Sequence, residues 1–154
     1  MAFKLSAHDK NIVIIISEFN IKITERLLKG TVEAFAHYKG LKSNLKIFRV
    51  PGAFEIPGTI QQILLHQKPH AIIALGAVIR GETPHFDFIA RESAYGLSEL
   101  SRKTDIPILN GILTTDNADQ AMKRSELGVR NKGWDAMEAA LQTISVYREI
   151  QTTL

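Results

Sequence analysis

The stretch Ala71-Ile72-Ile73-Ala74-Leu75-Gly76-Ala77-Val78-Ile79-Arg80-Gly81-Glu82-Thr83-Pro84-His85 decides how the chain is read. From Ala71 to Ile79 no polar side chain interrupts the run. An unbroken apolar run of this length suits a strand buried on both faces of a parallel sheet. Polar chemistry then arrives at once, from Arg80 to His85, and a helical pattern follows from about Asp87 to Ser101. In an open parallel sheet, ligands bind outside the carboxyl ends of the strands. A strand that runs out into Gly81, Thr83 and His85 therefore sets a hydroxyl and an imidazole where chemistry is done. The same residues also suit an ordinary loop with a surface histidine, so the rest of the chain must separate the two.

Working outward, Asn11 to Ser17 reads as a first buried strand, β-branched from Ile12 to Ile16, ending at Ser17-Glu18-Phe19-Asn20. Ile23, Leu27, Ala34, Phe35 and Tyr38 then recur at helical spacing up to Gly40, which reads as a C-terminal cap. Leu45 to Val50 is a second strand, broken by Pro51-Gly52, and Ile56, Ile60, Ile63 and Leu64 mark the next helix. Ile106 to Leu113 is a fourth strand, followed by Thr114-Thr115-Asp116-Asn117 and a short helix to about Arg124. Ser125 to Arg130 is a polar link, and Trp134, Met137, Leu141 and Ile144 form one stripe of a final helix. Alternating strands and helices, with strands apolar throughout, predict an α/β fold: a three-layer α/β/α sandwich, flavodoxin-like, on a four-stranded parallel sheet core. The four polar strand ends then share one edge of the sheet.

At 154 residues the chain fits a single domain, 1–154, with room for a sizeable core. The charge balance of +3 is spread without a Lys/Arg run, which argues against nucleic acid as a partner. With no cysteine there is neither a disulfide framework nor a thiolate metal or redox site. The longest apolar run is about half of a membrane span, so no membrane partner is expected and a cytoplasmic location is the economical reading. Paired histidines at ligand spacing, a Gly-rich dinucleotide fingerprint, a Walker-type loop and a nucleophile elbow are all missing from the sequence. The expected chemistry is positioning, stacking and proton transfer, with no metal and no cofactor.

The strand ends supply the candidates. Phe19 either stacks on a planar ring or tucks under the first helix. Glu55 either accepts from a polyol or serves the first helical turn, beside Ala53 and Phe54 at a helix start. Glu82 and Thr83 precede another helix start, where main-chain amides and the Thr83 hydroxyl suit a phosphate. His85 is the only histidine at a strand end and the natural proton carrier near neutral pH, whereas His8, His37, His66 and His70 receive no role. Arg124 and Lys132 flank the polar link, where either can neutralise an anion.

Five blocks in order resemble the 6,7-dimethyl-8-ribityllumazine synthase family over essentially the whole chain, Ile12 to about Arg148. They are Glu18-Phe19-Asn20; Val50-Pro51-Gly52-Ala53-Phe54-Glu55-Ile56-Pro57; Ala74 to Asp87; Gly111-Ile112-Leu113-Thr114-Thr115-Asp116-Asn117; and Asn131-Lys132-Gly133. The resemblance implies condensation of 5-amino-6-(D-ribitylamino)uracil with 3,4-dihydroxy-2-butanone 4-phosphate to the lumazine, phosphate and water. It also implies residue roles. Phe19 matches the aromatic stacked on the pyrimidine, and Ala53, Phe54 and Glu55 match the ribityl-binding segment. Ala77, Val78 and Ile79 match the backbone along the pyrimidine edge. Glu82 and Thr83 match the phosphate grip, Arg124 its guanidinium partner, Lys132 a second basic residue there, and His85 the proton-transferring group. Asn110 matches a position supplied by a neighbouring subunit.

Three departures from the family pattern are visible. Glu18 stands where many relatives carry a basic residue, and Asn110 where an aromatic is common. The link Ser125 to Arg130 lacks the Gly- and Lys-rich character of relatives that build sixty-subunit shells, so a homopentamer is the expected assembly. A non-catalytic lumazine or flavin carrier, or a shell-forming protein, are the competing readings. Both His85 and Arg124 being present argues against a carrier, which needs neither a proton shuttle nor a phosphate clamp.

Overall fold

A computed structural model describes residues 4–153. The elements are β1 (Ile12–Ser17), α1 (Ile21–His37), β2 (Leu45–Val50), α2 (Ile56–His66), β3 (Ala71–Ile79), α3 (His85–Arg102), β4 (Ile108–Thr115), α4 (Ala118–Arg124) and α5 (Lys132–Thr152). The four strands form one parallel sheet in the order β2-β1-β3-β4. This is the expected flavodoxin-like arrangement, and it arises from the way β1 and β3 alternate. Ile12, Ile14 and Ile16 of β1 and Ile73 and Leu75 of β3 pack into one core with Leu27 and Phe35 of α1 and Met137 and Leu141 of α5. Val13, Ile15, Ile72 and Ala74 face the other core, with Ile56, Ile60 and Ile63 of α2 and Leu97 of α3. Each central strand feeds apolar side chains into both layers, which is why its sequence carries no polar alternation.

The structure moves several expected boundaries. Helix α3 begins at His85 rather than Asp87, because Pro84 stands at its N-cap and accepts from the amides of Asp87 and Phe88. Strand β4 starts at Ile108, just after Pro107, and takes in Thr114 and Thr115, whose β-branched side chains suit the ladder opposite Val78 and Ile79. Strand β2 is not apolar throughout. It forms one flank of the sheet, and Lys46, Ile47, Phe48 and Arg49 are all exposed, the Ile47 and Phe48 side chains at 42% and 37%. The end of α1 also differs. Lys39 takes the left-handed conformation, at φ 74°, while the amide of Gly40 donates to the Phe35 carbonyl at 2.8 Å. Gly40 is needed because a Cβ there would run into the Phe35 ring.

One polar side chain ties the α1/α5 layer together. Asn131, fully buried, caps α5: its Oδ1 accepts from the amides of Gly133 at 2.7 Å and Trp134 at 3.0 Å. Its Nδ2 donates to the carbonyls of Arg26 at 3.1 Å and Ser125 at 3.0 Å. A Cβ on Gly30 would strike this amide, and one on Gly133 would strike the Leu27 carbonyl. Two glycines and an asparagine therefore let α1 and α5 approach closely, with all four hydrogen-bonding positions of the amide used.

Candidate active site

The carboxyl ends of β1, β2 and β3 frame a cleft of about 580 Å³. The wall from β1 is Phe19, its ring 72% exposed, so it stands free in the cleft rather than tucked under α1. The next residue explains how the loop is held there. Asn20 is left-handed at φ 61°, and its Nδ2 donates to the Ala77 carbonyl at 2.8 Å instead of capping α1. Asparagine tolerates that conformation better than most residues.

Ala53, Phe54 and Glu55 form a single turn of 3-10 helix after β2 and present themselves to the same cleft. Glu55 makes no capping bond to the helix that follows, which leaves its carboxylate for the cavity. Phe54 is 58% exposed, a second free aromatic facing the opening. The local sequence accounts for this turn: Pro51 ends the strand, and Gly52 is extended at φ −146°, so the chain leaves the sheet before it coils.

The floor is Ala77, Val78 and Ile79. Here the sheet is staggered. β3 stays paired with β4 out to Ile79 opposite Thr115, but β1 pairs with β3 only as far as Ile16 opposite Leu75. On its β1 side the last turn of β3 therefore lacks a neighbouring strand, and Asn20 occupies one of the carbonyls left over. An open strand flank offers a row of main-chain donors and acceptors to a planar heterocycle.

Gly81, Thr83 and His85 close the fourth side, with Phe86 and Ile89 of α3 behind them. Among the described residues, the amides of Gly81, Glu82 and Thr83 have no hydrogen-bond partner. They lie just ahead of the N-terminus of α3, where the free N–H groups and the helix dipole favour an anion. Glu82, between Gly81 and Thr83, is exposed and does not line the cleft. Arg80, at the root of this loop, has its guanidinium engaged: Nε to Asp116 Oδ1 at 3.0 Å, Nη1 to Asp87 Oδ1 at 3.5 Å, and its plane 4.5 Å from the Phe86 ring centre.

Nine of the thirteen residues singled out from the sequence thus line one cavity. Glu82, Asn110, Arg124 and Lys132 do not. Asn110 is exposed on β4, the outer strand, with Oδ1 accepting from the amide of Ile112 at 3.0 Å. Arg124 ends α4 and Lys132 starts α5, both exposed. Sequence reading missed Asn20, Arg80 and Asn131 as organisers. Asn20 and Asn131 carried a usable signal, an asparagine directly ahead of a helical pattern, whereas the partners of Arg80 become neighbours only through the fold. No group of three or more His, Cys, Asp or Glu placed to hold a metal ion occurs among the described residues. No helix among them is long and apolar enough to cross a membrane.

Comparison with known proteins bears on what this cleft takes. The family model for 6,7-dimethyl-8-ribityllumazine synthase matches residues 9–148. Enzymes of that name from Chlorobium luteolum, Chlorobium phaeovibrioides and Chloroherpeton thalassium are similar to this chain at 40%, 41% and 39% identity. The matches span 95%, 92% and 95% of this chain and 94%, 92% and 94% of those proteins.

Proposed function

The chain belongs to the 6,7-dimethyl-8-ribityllumazine synthase family, and from that premise we propose how its cleft carries out the family's reaction. It is a transferase of riboflavin biosynthesis that condenses 5-amino-6-(D-ribitylamino)uracil with 3,4-dihydroxy-2-butanone 4-phosphate, releasing phosphate and water. One observation carries the proposed roles: residues from three separate strand ends, matched to the family one by one, converge on a single cleft.

Phe19 stacks on the pyrimidine, and the open flank of β3 at Ala77, Val78 and Ile79 reads the ring's edge through main-chain groups. Glu55 accepts hydrogen bonds from the ribityl hydroxyls, with Ala53 and Phe54 along the chain. The unpartnered amides from Gly81 to Thr83 and the Thr83 hydroxyl take the phosphate of the second substrate. The pyrimidine's free amine attacks the butanone carbonyl, and the Schiff base forms with loss of water. Phosphate then leaves as the adjacent carbon gives up its proton. The second amine closes on the newly exposed carbonyl, again losing water. His85, beside the phosphate loop, carries the protons these steps move. Holding both substrates in one cleft supplies much of the acceleration, since orientation alone is worth several powers of ten.

Asn110, Arg124 and Lys132 belong to the same reaction without lining their own chain's cleft. All three are exposed on the β4–α4–α5 side, which is the arrangement expected if each serves the cleft of a neighbouring copy. Arg124 pairs with the phosphate there, Lys132 adds a second positive charge, and Asn110 approaches the pyrimidine end. A heterologous contact of this kind closes into a ring. The ring is a homopentamer rather than a sixty-subunit shell, given the character of the link from Ser125 to Arg130, and it works in the cytoplasm. Residues 1–154 act as a single domain within it.

Turnover of the two substrates, followed by lumazine fluorescence, tests the reaction directly; no acceleration over the uncatalysed background would overturn it. Arg124→Ala should raise the KM for the butanone phosphate by roughly tenfold or more and leave that for the pyrimidine nearly unchanged. Shared sites have their own signature. Dissociating and randomly reassembling a His85 variant with an Arg124 variant, each impaired on its own, should put the native residues together at about a quarter of the interfaces and raise activity there to the wild-type level. Sites complete within one chain would recover none.

A further inference from the structure

The loop that carries Gly81, Thr83 and His85 into the cleft has little of its own to hold it. Its first three amides have no partner among the described residues, and Gly81 adds backbone freedom. Arg80 brackets it. The Arg80 amide donates to the Thr115 carbonyl at 2.9 Å, extending the β3–β4 ladder by one residue. Its guanidinium then reaches across the loop to the first turn of α3, 3.5 Å from Asp87 Oδ1 and over the Phe86 ring at 4.5 Å. The same group is 3.0 Å from Asp116 Oδ1 in the turn between β4 and α4. The side chain does not line the cleft, and two carboxylates already occupy it.

We propose that Arg80 is a positioning residue: its Asp87–Phe86–Asp116 clamp sets the loop from Gly81 to His85 so that the phosphate amides and the imidazole face the same substrate. This rests on the reading of the cleft given above. Arg80 works through the loop and touches neither substrate. The planar fork is essential, because one face packs on Phe86 while the edge serves two carboxylates. A lysine ammonium retains the charge but cannot reproduce both contacts. Displacement of about 1 Å at a catalytic group can cost as much as a hundredfold in rate. Losing the clamp should therefore appear in catalysis well before it appears in folding.

The test combines hydrogen exchange on the free protein with kinetics. In Arg80→Ala, the amides of Asp87 and Phe88, which donate to the Pro84 carbonyl at the end of the loop, should exchange at least roughly fivefold faster, while those of β3 keep their protection. The KM for the butanone phosphate should rise roughly tenfold and kcat should fall, with the KM for the pyrimidine within about twofold. Arg80→Lys should restore only part of this. Asp116→Asn should weaken the same parameters, and adding it to Arg80→Ala should change nothing further. Unchanged exchange in Arg80→Ala would overturn the proposal, as would equal rises in both KM values or full additivity with Asp116→Asn. If the wild-type protein turned over neither substrate, the assigned reaction would fail. The exchange measurement would still decide whether Arg80 holds the loop.

Discussion

Replacing Asn131 by alanine should cost this fold about 3 kcal/mol, and the structure shows where that comes from. The side chain is fully buried and makes four hydrogen bonds, two from backbone amides into Oδ1 and two from Nδ2 to backbone carbonyls. Loss of the N-cap alone is worth about 1 kcal/mol. Leaving buried groups of Arg26, Ser125, Gly133 and Trp134 without their partner adds about 2 kcal/mol, the middle of the range of about 1–3 kcal/mol for such a loss. In a chain of this size a loss of about 3 kcal/mol lowers the melting temperature by roughly 6–12 °C. Asn131→Asp is the sharper variant. It keeps the acceptor facing Gly133 and Trp134 but turns a donor into a carboxylate oxygen against two carbonyls, so it should be no more stable than the alanine variant. Urea unfolding followed by the fluorescence of Trp134, the only tryptophan and itself buried against this cap, reads the effect. Protein concentration must be matched across variants, because any self-association makes the midpoint concentration-dependent. A loss below about 1 kcal/mol for alanine, or an aspartate variant as stable as wild type, would refute the reasoning.

Gly133→Ala should destabilise by about 1–3 kcal/mol in the same assay, since its Cβ would meet the Leu27 carbonyl and force α1 and α5 apart. Replacing His85 with alanine should lower kcat by roughly a hundredfold or less and change the pH–rate profile; an unchanged profile would remove His85 from proton transfer. Burial, helped by the charges of Lys10 and Arg148, holds the His70 imidazole below its ordinary value, and its Nδ1 accepts from the Asn11 amide. The unfolded chain then binds the proton more readily, so stability should decline as pH falls from about 6.5 through the folded value and be insensitive to His70 above that range. His70→Gln should remove that slope from urea midpoints measured across the interval; a slope left intact would assign it to other groups.

How much was legible in the sequence depended on how many faces of each element are buried. β1 and β3 are covered on both sides, so their composition announced them and their bounds came within a residue. β2 forms a flank, and its exposed Lys46, Ile47, Phe48 and Arg49 made the expectation of a uniformly apolar sheet wrong at that strand. In the site, residues carried by loops directly after strands fell where topology put them: Phe19, the Ala53 to Glu55 turn, and Thr83 with His85. Asn110, Arg124 and Lys132 do not line that cleft: β4, α4 and the start of α5 carry them elsewhere on the fold, which local pattern does not display. Asn131 sat inside a block noted for Lys132. Its burial, and the two glycines that make room for it, are products of helix packing that no window of sequence displays.

The staggered end of β3 bears on how the cleft tolerates change. If, as proposed, a heterocycle lies along Ala77 to Ile79, it completes the ladder that β1 abandons at Ile16, and its recognition is then written in peptide groups. Peptide groups are the same whatever side chain they carry. A mutational scan across these three positions should therefore report packing against the two cores, and ligand preference should hardly move as alanine, valine and isoleucine are exchanged for other apolar residues. Ring selectivity would then drift slowly over evolutionary time even where the strand's own sequence drifts fast, because changing it requires altering where a neighbouring strand stops.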